Sequence, residues 1–480
     1  MQRPFDMTID PRAAAVLSVL ESNGHSAWFV GGCVRDAAIG RPAHDFDIAT
    51  SAPWQETARL FEARGCHVIT AGARHGSVGI VWQGMVVEAT TYRTESGYSD
   101  GRRPDAVAFV DDIRLDLARR DFRMNAMAYH PQRGLLDPFG GLEDIEAHRI
   151  ATVGDAQTRF SEDPLRIMRA LRFSSELGFP IDDATDAALR LTAGDLQRIA
   201  RERVFAELSK LLMGPSAGVV VERYAAVLDE VVPGIAALDG YPCDPRRFAF
   251  DLLGHTAHTV DAAPARLELR LAALLHDIAK PACIAKGRAA DHPGEGARMA
   301  HRILQRLKAP RRTIEQTCAL IAAHGDHFIP CRRAAWLLVA AHDGDAAFVR
   351  DSLSLQRADA IGHGMGETAR VRSCDAMLDH LEALVAEGVP LSTRELAIGG
   401  RDVIAAGIEA GPAVKQALDL ALLCIIEGRT RNDAAALTAA LDEISRSVRQ
   451  HQTSSENIFQ KILHSELTES SKHDNILTRA

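Results

Sequence analysis

A glycine pair, an arginine and two aspartates lie close together near the N-terminus. In FVGGCVRDAAIGRPAHDFDIAT, Gly31 and Gly32 end an apolar run, Arg35 follows, and Asp45 and Asp47 begin ten residues later. Glycines let backbone N–H groups approach a phosphate. Alternate residues of an extended segment face the same way, so the two carboxylates converge. Paired carboxylates suit Mg²⁺ bound to nucleotide phosphates, which indicates phosphoryl or nucleotidyl transfer.

A third carboxylate occurs in a neighbouring hairpin. SVGIVW (77–82) and MVVEATTY (85–92) flank Gln83-Gly84, a pair that favours a tight turn. Glu88, on the second strand, is either a third ligand for two metals or a solvent-facing residue of an alternating strand. An isolated DxD is also typical of a solvated strand end. The glycines and the arginine beside it favour the metal site.

The whole chain must provide a fold that positions these residues. Its 480 residues exceed the ~250–300 at which single cores stop growing, so we expect several domains. The composition, 46% hydrophobic and 25% charged, is typical of a globular protein. We expect a cytoplasmic protein without membrane association, because neither a leader pattern nor an apolar run of ~18 residues occurs. The net charge of −9 restricts any nucleic acid to a local basic patch.

Strand patterns are confined to the first part of the chain. Extended apolar segments occur at 27–32, 44–50, 77–82 and 85–92, whereas apolar spacing of three to four residues dominates after about residue 150. The predicted fold class is α+β. A small N-terminal head with a mixed or antiparallel sheet precedes an elongated all-helical neck, body and tail.

Several further motifs occur in the order of a known family. From about residue 25 to 445 the chain resembles the class II tRNA nucleotidyltransferase and bacterial poly(A) polymerase family, and within it the CCA-adding enzymes. The segments that carry the resemblance are GGCVRD with DFD, TTYRTESGYSDGRRPDAV (90–107), RRDFRMNAMAY (119–129), SEDPLRIMRALRF (161–173) and LSTRELAIGGRDV (391–403).

The resemblance implies a role for each segment. Gly32, Arg35 and the DFD aspartates would bind metal and triphosphate. Residues 90–107, with Asp100, Arg102 and Arg103, would form the flexible loop that helps switch from C to A addition. The expected domains are a nucleotidyltransferase head (1–150), a base-reading neck (151–215), an HD-like body (216–390), a tail (391–445) and a disordered extension (446–480).

Two residues of the 161–173 segment have base-reading chemistry. Asp163 and Arg166, spaced i and i+3, are expected on one face of one helix. A carboxylate accepts from the exocyclic amine of cytosine or adenine, and a guanidinium donates to ring acceptors, so the pair accepts CTP and ATP without a template. Arg169 and Arg172 continue the row and could bind triphosphate oxygens. The alternative is an amphipathic helix with an exposed arginine stripe.

The basic segment 119–129 is interpreted in the same way. By family spacing, Arg120 binds nucleotide, whereas Arg119 or Arg123 could instead pair with Asp116 or Asp121. Asn125 either holds the ribose or lies on a helix surface.

A second metal site is predicted in the helical body. His255, the adjacent His276-Asp277 and Asp359 resemble the H…HD…D pattern of HD-type metal phosphohydrolases. Imidazole and carboxylate ligands suit a transition metal or Mg²⁺. The additional residues His301 and His324 could complete a second metal position. The alternative is an HD-like fold that only supports RNA.

The leading hypothesis is template-free addition of C, C and A to tRNA 3′ ends from CTP and ATP, with two Mg²⁺ ions. The body and tail would contact the acceptor and TΨC arms. Within the family, the alternatives are a poly(A) polymerase or an enzyme that adds only CC or only A. Outside it, they are an HD phosphohydrolase with an RNA-binding N-terminal half, or a non-catalytic RNA chaperone.

Overall fold

The computed structural model describes residues 5–43, 45–96, 106–246, 248–325, 329–366, 368–450 and 462. Two compact units divide the chain, Met1–Pro233 and Gly234–Ala480. In the described chain no helix combines the length and apolarity that crossing a membrane requires.

Among the described residues, nine strands, all in the first unit, form two sheets. They are β1 (Ala27–Val30), β2 (Asp47–Thr50), β3 (His67–Ile69), β4 (Ser77–Trp82), β5 (Met85–Thr91), β6 (Arg93–Ser96), β7 (Ala106–Phe109), β8 (Ala128–His130) and β9 (Gly134–Leu136). The main sheet has the order β3-β4-β5-β2-β1-β8-β9, and β6 pairs with β7 alone. Only β2 and β5 are parallel neighbours among the described strands, so the predicted mixed sheet is confirmed.

The helices of the first unit cover the sheet and continue beyond it. They are α1 (Pro11–Ser22), α2 (Gly32–Ala38), α3 (Trp54–Glu62), α4 (Ile113–Ala118), α5 (Gly141–Glu146), α6 (Ala156–Glu162), α7 (Leu165–Leu177), α8 (Asp183–Thr192), α9 (Arg201–Met213), α10 (Ala217–Arg223) and α11 (Ala225–Leu228). Short 3-10 helices occur at Ala73–His75, which we call η1, and at Arg123–Asn125 and Ala193–Arg198.

The second unit is helical in all its described elements. Its helices are α12 (Leu252–Ala262), α13 (Leu267–Leu275), α14 (Lys280–Ala285), α15 (His292–Arg306), α16 (Arg311–Ala323), α17 (Arg332–Ala341), α18 (Ala346–Gly362), α19 (Ala369–Glu387), α20 (Gly400–Ala405), α21 (Pro412–Ile426) and α22 (Ala434–Gln450). The helical prediction after residue 150 is therefore confirmed. Helix α22 continues to Gln450, five residues into the expected extension, and the domain boundaries stay predictions.

Local sequence explains how the site-bearing strands form. At the β4–β5 hairpin, Gln83 and Gly84 have φ values of 48° and 80°, which suits a type I′ turn. Before β2, the Phe46 ring is buried and packs edge-on against Phe29 at 5.8 Å. Asp47, the first residue of β2, lies opposite Glu88 of β5. Asp45 precedes the strand, so the prediction that it lies within a strand is wrong by two residues.

Candidate active site

A cavity of about 1220 Å³ opens where β1 and β2 meet α7 and α9. Of the residues that the structure describes, ten basic and six acidic side chains line it, so the cavity attracts anions although the whole chain is acidic. The basic residues are Arg35, Arg74, Arg93, Arg119, Arg120, Arg166, Arg169, Arg172, Arg203 and Lys210. The acidic ones are Asp36, Asp45, Asp47, Asp121, Asp163 and Glu176.

The predicted carboxylate pair faces this cavity. Asp45 and Asp47 line it and are exposed to the solvent of the cavity, whereas Phe46 between them points into the core. The protein atoms around the Asp47 carboxyl reduce its hydration and, with the charges of Glu88 and Asp45, raise its pKa to about 6, although Arg120 opposes this. Glu88 is exposed and does not line the cavity. Its role as a third ligand stays a prediction.

The glycine pair brings the backbone close to an arginine. Gly31 adopts φ +73°, and a Cβ there would lie 2.8 Å from Arg120 Nη1. Gly32 begins α2, which carries Arg35 one turn later. Arg35 donates to Asp36 Oδ1 at 2.8 Å and to Asn125 Oδ1 at 2.8 Å. These bonds fix its guanidinium at the cavity edge.

Two arginines of the 119–129 segment, Arg119 and Arg120, contact the same buried acid, Asp116. Arg119 Nη2 donates to Asp116 Oδ1 at 2.8 Å, as one of the predicted pairings required. Arg120 makes two long contacts, 3.5 Å to Asp116 Oδ2 and 3.4 Å to the Asn125 carbonyl, and its buried Nε has no hydrogen-bond partner among the described residues. Arg123 donates to the Thr152 carbonyl instead of to an aspartate. Of the three arginines in the segment, Arg120 therefore makes the longest hydrogen bonds to described protein groups.

Asn125 and Asp121 connect the head to α7. Asn125 is buried, lines the cavity and donates to Asp121 Oδ1, so its interpretation as a helix-surface residue is wrong. Asp121 Oδ2 accepts from Arg169 Nε at 2.7 Å. Burial alone would raise the pKa of Asp121. The Arg169 charge and the hydrogen bonds from Asn125, Arg169 and the Phe122 backbone outweigh it and hold that pKa well below its usual range.

The two base-reading candidates lie together but not on one helix. Asp163 has φ −135° and ψ 97° between α6 and α7, so the prediction that one helix carries both residues is wrong. The next residue, Pro164, disfavours helical backbone at the position before it. Arg203 of α9 donates to Asp163 Oδ2 at 3.2 Å.

Arg166 is anchored on its own partners. Its Nη1 donates to Glu162 Oε2 at 2.7 Å and to the Arg159 carbonyl, and its Nη2 donates to the Arg119 carbonyl. The side chain is buried but lines the cavity, which excludes a solvent-exposed arginine stripe at this position.

The other arginines of α7 surround an aromatic ring. Arg169 and Arg172 of α7 and Arg35 of α2 place their guanidinium carbons 5.5, 4.2 and 5.0 Å from the Phe173 ring centroid. Arg172 also pairs with Glu207 of α9 at 3.2 Å, and burial lowers its pKa. Both predicted triphosphate arginines line the cavity.

A histidine and aspartate cluster lies in the second unit, where the body site was predicted. His255 of α12, His276 and Asp359 of α18 offer ligand atoms within 4.8 Å of one another. His255 Nε2 is 3.1 Å from both His276 Nε2 and Asp359 Oδ1. All three side chains are buried.

A second group shares the same centre. Asp277, His292 and His324 also offer ligand atoms within 4.8 Å of one another. Asp277 Oδ2 lies 3.2 Å from His276 Nε2, and its Oδ1 lies 3.5 Å from His292 Nε2. Asp277 therefore faces both groups. The predicted participation of His301 is wrong, because that side chain is exposed and absent from both groups, whereas His292 was missed.

Hydrogen bonds orient these imidazoles. The Nδ1 atoms of His276, His292 and His324 lie 2.6–2.8 Å from the carbonyl oxygens of Ala273, Ala289 and Ile321. A carbonyl only accepts, so each Nδ1 carries hydrogen and each Nε2 faces the centre. Burial lowers the pKa of His276, but Asp277 and Asp359 outweigh it and raise that pKa to about 10. Asp277 and Asp359 thus stabilise positive charge at the centre of the cluster.

Three family models match successive parts of the chain. Residues 27–151 match the poly A polymerase head domain, residues 178–238 a probable RNA and SrmB-binding site of polymerase A, and residues 252–360 the HD domain. A CCA-adding enzyme of Geobacillus kaustophilus (strain HTA426) is 35% identical over 453 residues, which cover 93% of this chain and 99% of that protein. This chain belongs to the CCA-adding enzyme family.

Solved CCA-adding enzymes agree in fold. The Bacillus stearothermophilus enzyme in complex with CTP has a TM-score of 0.70 and 30% identity, covering 92% of this chain and 100% of its own. The Thermotoga maritima enzyme complexed with tRNA_CCA has a TM-score of 0.58 at 19% identity, covering 92% and 96%, which supports the fold alone. CCA-adding enzymes are nucleotidyltransferases that generally use a divalent metal.

The chemistry of the Asp45 and Asp47 carboxylates suits a divalent ion. The raised pKa of Asp47 reflects desolvation first and repulsion from Glu88 and Asp45 second, and a bound cation would favour the ionised carboxylate against both. Oxygen ligands facing an open cavity also leave room for waters and phosphates. The ligand atoms of Asp45, Asp47 and Glu88 do not gather within 4.8 Å, unlike those of the two histidine groups.

Sequence reasoning missed five basic residues of the cavity as individual ligands: Arg74, His75, Arg93, Arg203 and Lys210. They come from η1, β6 and α9, which are distant from DFD in the chain. For Lys210 a signal was available, because it is the first lysine in the sequence. The loop residues Asp100, Arg102 and Arg103 lie outside the described residues.

Proposed function

We propose that this CCA-adding enzyme adds C, C and A to tRNA 3′ ends from CTP and ATP. The observation that carries the proposal is one cavity that contains both a carboxylate pair and a base-reading pair. Asp45 and Asp47 line it together with Asp163 and Arg166, in a lining with more basic than acidic side chains. Transfer chemistry and nucleotide choice therefore share one site.

Asp45 and Asp47 would hold Mg²⁺ against the triphosphate. When bound, the ions supply charge neutralisation at the attacking and leaving oxygens. Arg120 is positioned to bind a phosphate, because it contacts the glycine turn and has a buried, unpaired Nε. Arg169 and Arg172, oriented by Asp121 and by the acids near α9, would contact the outer phosphates.

Asp163 and Arg166 would choose the base. Asp163 accepts from the Leu165 backbone and from Arg203, and its carboxylate retains lone pairs for an exocyclic amine. Arg166 keeps its Nε and one Nη2 hydrogen after its bonds with described residues. UTP and GTP present an oxygen where CTP and ATP present the amine, so Asp163 would repel them.

The RNA partner follows from the same reaction. The helical remainder would hold the acceptor and TΨC arms of tRNA through backbone and 2′-hydroxyl contacts, reading shape instead of sequence. We place the protein in the cytoplasm, where tRNA and nucleoside triphosphates meet. The boundaries proposed for head, neck, body and tail remain 150, 215, 390 and 445.

Extension of truncated tRNA tests the proposal. With tRNA that lacks its last three nucleotides, labelled CTP and ATP, we expect addition of exactly the sequence C, C, A and then arrest. Addition of an unlimited A tail would indicate a poly(A) polymerase, and arrest after CC or a requirement for a CC end would indicate a partial enzyme. No extension at all would contradict the proposal.

We also propose a metal-dependent phosphohydrolase site in the second unit. Its support is the convergence of four Nε2 atoms with Asp277 and Asp359, where the buried Asp277 Oδ1 and His255 Nδ1 lack hydrogen-bond partners. His255, His276, Asp277 and Asp359 would hold a divalent metal, which would activate water for attack on a phosphate ester.

Hydrolysis of a 2′,3′-cyclic nucleotide or a phosphate monoester, with added Ni²⁺ or Mg²⁺, tests this second function. The wild type should turn over and Asp277→Ala should not. Equal rates in the two proteins would remove the proposal and leave the helical body as an RNA support.

A further inference from the structure

One wall of the active-site cavity carries basic residues that the nucleotide site does not use. Arg74 and His75 belong to η1, which precedes β4, and Arg93 begins β6 directly after β5. All three line the cavity. We call these three residues the Arg74 cluster.

Sheet order separates the Arg74 cluster from the nucleotide-binding arginines. Strand β2, which begins at Asp47, lies between β1 on one side and β5 and β4 on the other. Arg35 follows β1, and its guanidinium reaches the Phe173 ring of α7. The cluster flanks β4 and β5 instead. Along the sheet, the Arg74 cluster and Arg35 therefore lie on opposite sides of Asp47, while the Arg93 backbone N–H donates to Asp116, the acid that also contacts Arg119 and Arg120.

The in-line geometry of nucleotidyl transfer relates the two sides of Asp47 to the two substrates. The attacking and leaving oxygens lie roughly in line through the reacting phosphorus. If the triphosphate is held beside Arg35 and α7, in-line attack would come from the side of β5, so the RNA 3′-hydroxyl would enter there. We infer that the Arg74 cluster binds a backbone phosphate near the 3′ end of the RNA, an inference that rests on the proposed function.

The cluster is held by a closed turn. His75 N donates to the Gly72 carbonyl at 2.9 Å, and Gly76 ends η1 with φ +81°. A Cβ at Gly76 would lie 2.8 Å from the Phe109 ring. Arg74 Nε donates to His75 Nε2 at 3.1 Å, and the Arg93 guanidinium donates to the His75 carbonyl. Both arginines are therefore tied to one histidine.

Charge distinguishes Arg74 from the other arginines. Arg35, Arg166 and Arg169 each have an acidic partner, at 2.8, 2.7 and 2.6 Å. Within the described ranges, Arg74 has no carboxylate within 4.0 Å and its side chain is exposed. An arginine without an acidic partner, held at a cavity edge, can bind two phosphate oxygens with its unused N–H groups.

Steady-state kinetics of the wild type and of variants that lack the Arg74 guanidinium test the inference. We expect Arg74→Gln to raise KM for tRNA lacking its CCA end about tenfold, the effect of losing one charged hydrogen-bonded contact. The Kd for CTP should not change, and Arg74→Lys should recover part of the loss. The control is Arg59→Gln, because Arg59 is an exposed arginine of α3 that pairs with Glu56 away from the cavity.

Neutral linkages in the RNA identify the phosphate. Primers with a single methylphosphonate at one of the last three linkages should include one that slows the wild type about as much as Arg74→Gln does. The same primer should not slow Arg74→Gln further, because both changes remove one contact.

Three results would overturn the inference. They are an unchanged KM for RNA in Arg74→Gln, weakened CTP binding in that variant, or further slowing of Arg74→Gln by the methylphosphonate at every one of the three linkages. Failure of the wild type to extend any primer would instead contradict the proposed function itself. The two kinds of failure are thus distinguishable.

Discussion

At the scale of single residues, the active-site arginines are oriented by acids. Glu162 holds Arg166, Asp121 holds Arg169, and Glu207 holds Arg172. Glu162 ends α6, Asp121 lies between α4 and the 3-10 helix Arg123–Asn125, and Glu207 belongs to α9. Contacts from these separate elements fix the guanidiniums before nucleotide binds. Preorganised donors lose little on binding, which favours discrimination between bases.

Base choice should depend on Arg166. We predict that Arg166→Ala lowers the ratio of kcat/KM for CTP over UTP by about tenfold or more, because one bidentate contact contributes ~1–3 kcal/mol of discrimination. The measurement is competitive incorporation into tRNA that lacks its CCA end. Arg190→Ala serves as the control, since Arg190 is an exposed partner of Asp186 outside the cavity. Unchanged exclusion of UTP in Arg166→Ala would contradict the pairing scheme.

Sequence located the residues of the site that carry local signals. Asp45, Asp47 and Arg35 were predicted because their chemistry follows from spacing within one segment. The partner Arg203 was not predicted, since no local pattern relates Arg203 of α9 to Asp163. His292 was missed for the same reason, because it reaches Asp277 across separate elements.

At the scale of secondary structure, strong local patterns predicted elements well. The β4–β5 hairpin follows its alternation and its turn residues. The short strands β3, β8 and β9, with three residues each, offer too few positions for a pattern. The break at Asp163 was predictable in principle from Pro164, which restricts the residue before it.

Helix α21 contains a buried acid that should weaken the fold at neutral pH. Asp419 is 5% exposed, and burial raises its pKa to about 6, helped by Asp343 and opposed by Lys415. Because this pKa is higher in the folded than in the unfolded chain, the folded state is penalised increasingly as the pH rises from about 4 to about 6, and fully above that. The penalty disappears as pH falls towards the unfolded pKa.

Asp419→Asn should therefore stabilise the protein. We predict a gain of about 1–3 kcal/mol in the free energy of unfolding of the second unit at pH 7.5, and roughly half of that gain at pH 5. Denaturant unfolding at both pH values measures it. An equal change at the two values would show that the carboxyl does not titrate as described.

At the scale of the whole molecule, each compact unit has its own candidate site. The first contains the cavity with Asp45 and Asp47, and the second contains the histidine cluster around Asp277. The overall negative charge conceals a local basic cavity, so composition alone could not indicate RNA binding. The motifs, not the composition, predicted the family.

The two chemistries should be separable. Asp277→Ala is expected to abolish phosphate-ester hydrolysis while CCA addition stays within about twofold of the wild type, because the acid belongs to the second unit. Both assays are run on one preparation, with circular dichroism to verify folding. A parallel loss of both activities would contradict independent sites.

The central claim is that Asp45 and Asp47 hold the metal for transfer. Its most direct test measures C incorporation and tRNA binding on the same preparation of Asp45→Ala. We predict that incorporation falls on the order of a thousandfold, as expected when several kcal/mol of metal stabilisation is lost, while the Kd for tRNA stays within about twofold. Turnover close to that of the wild type would contradict the account.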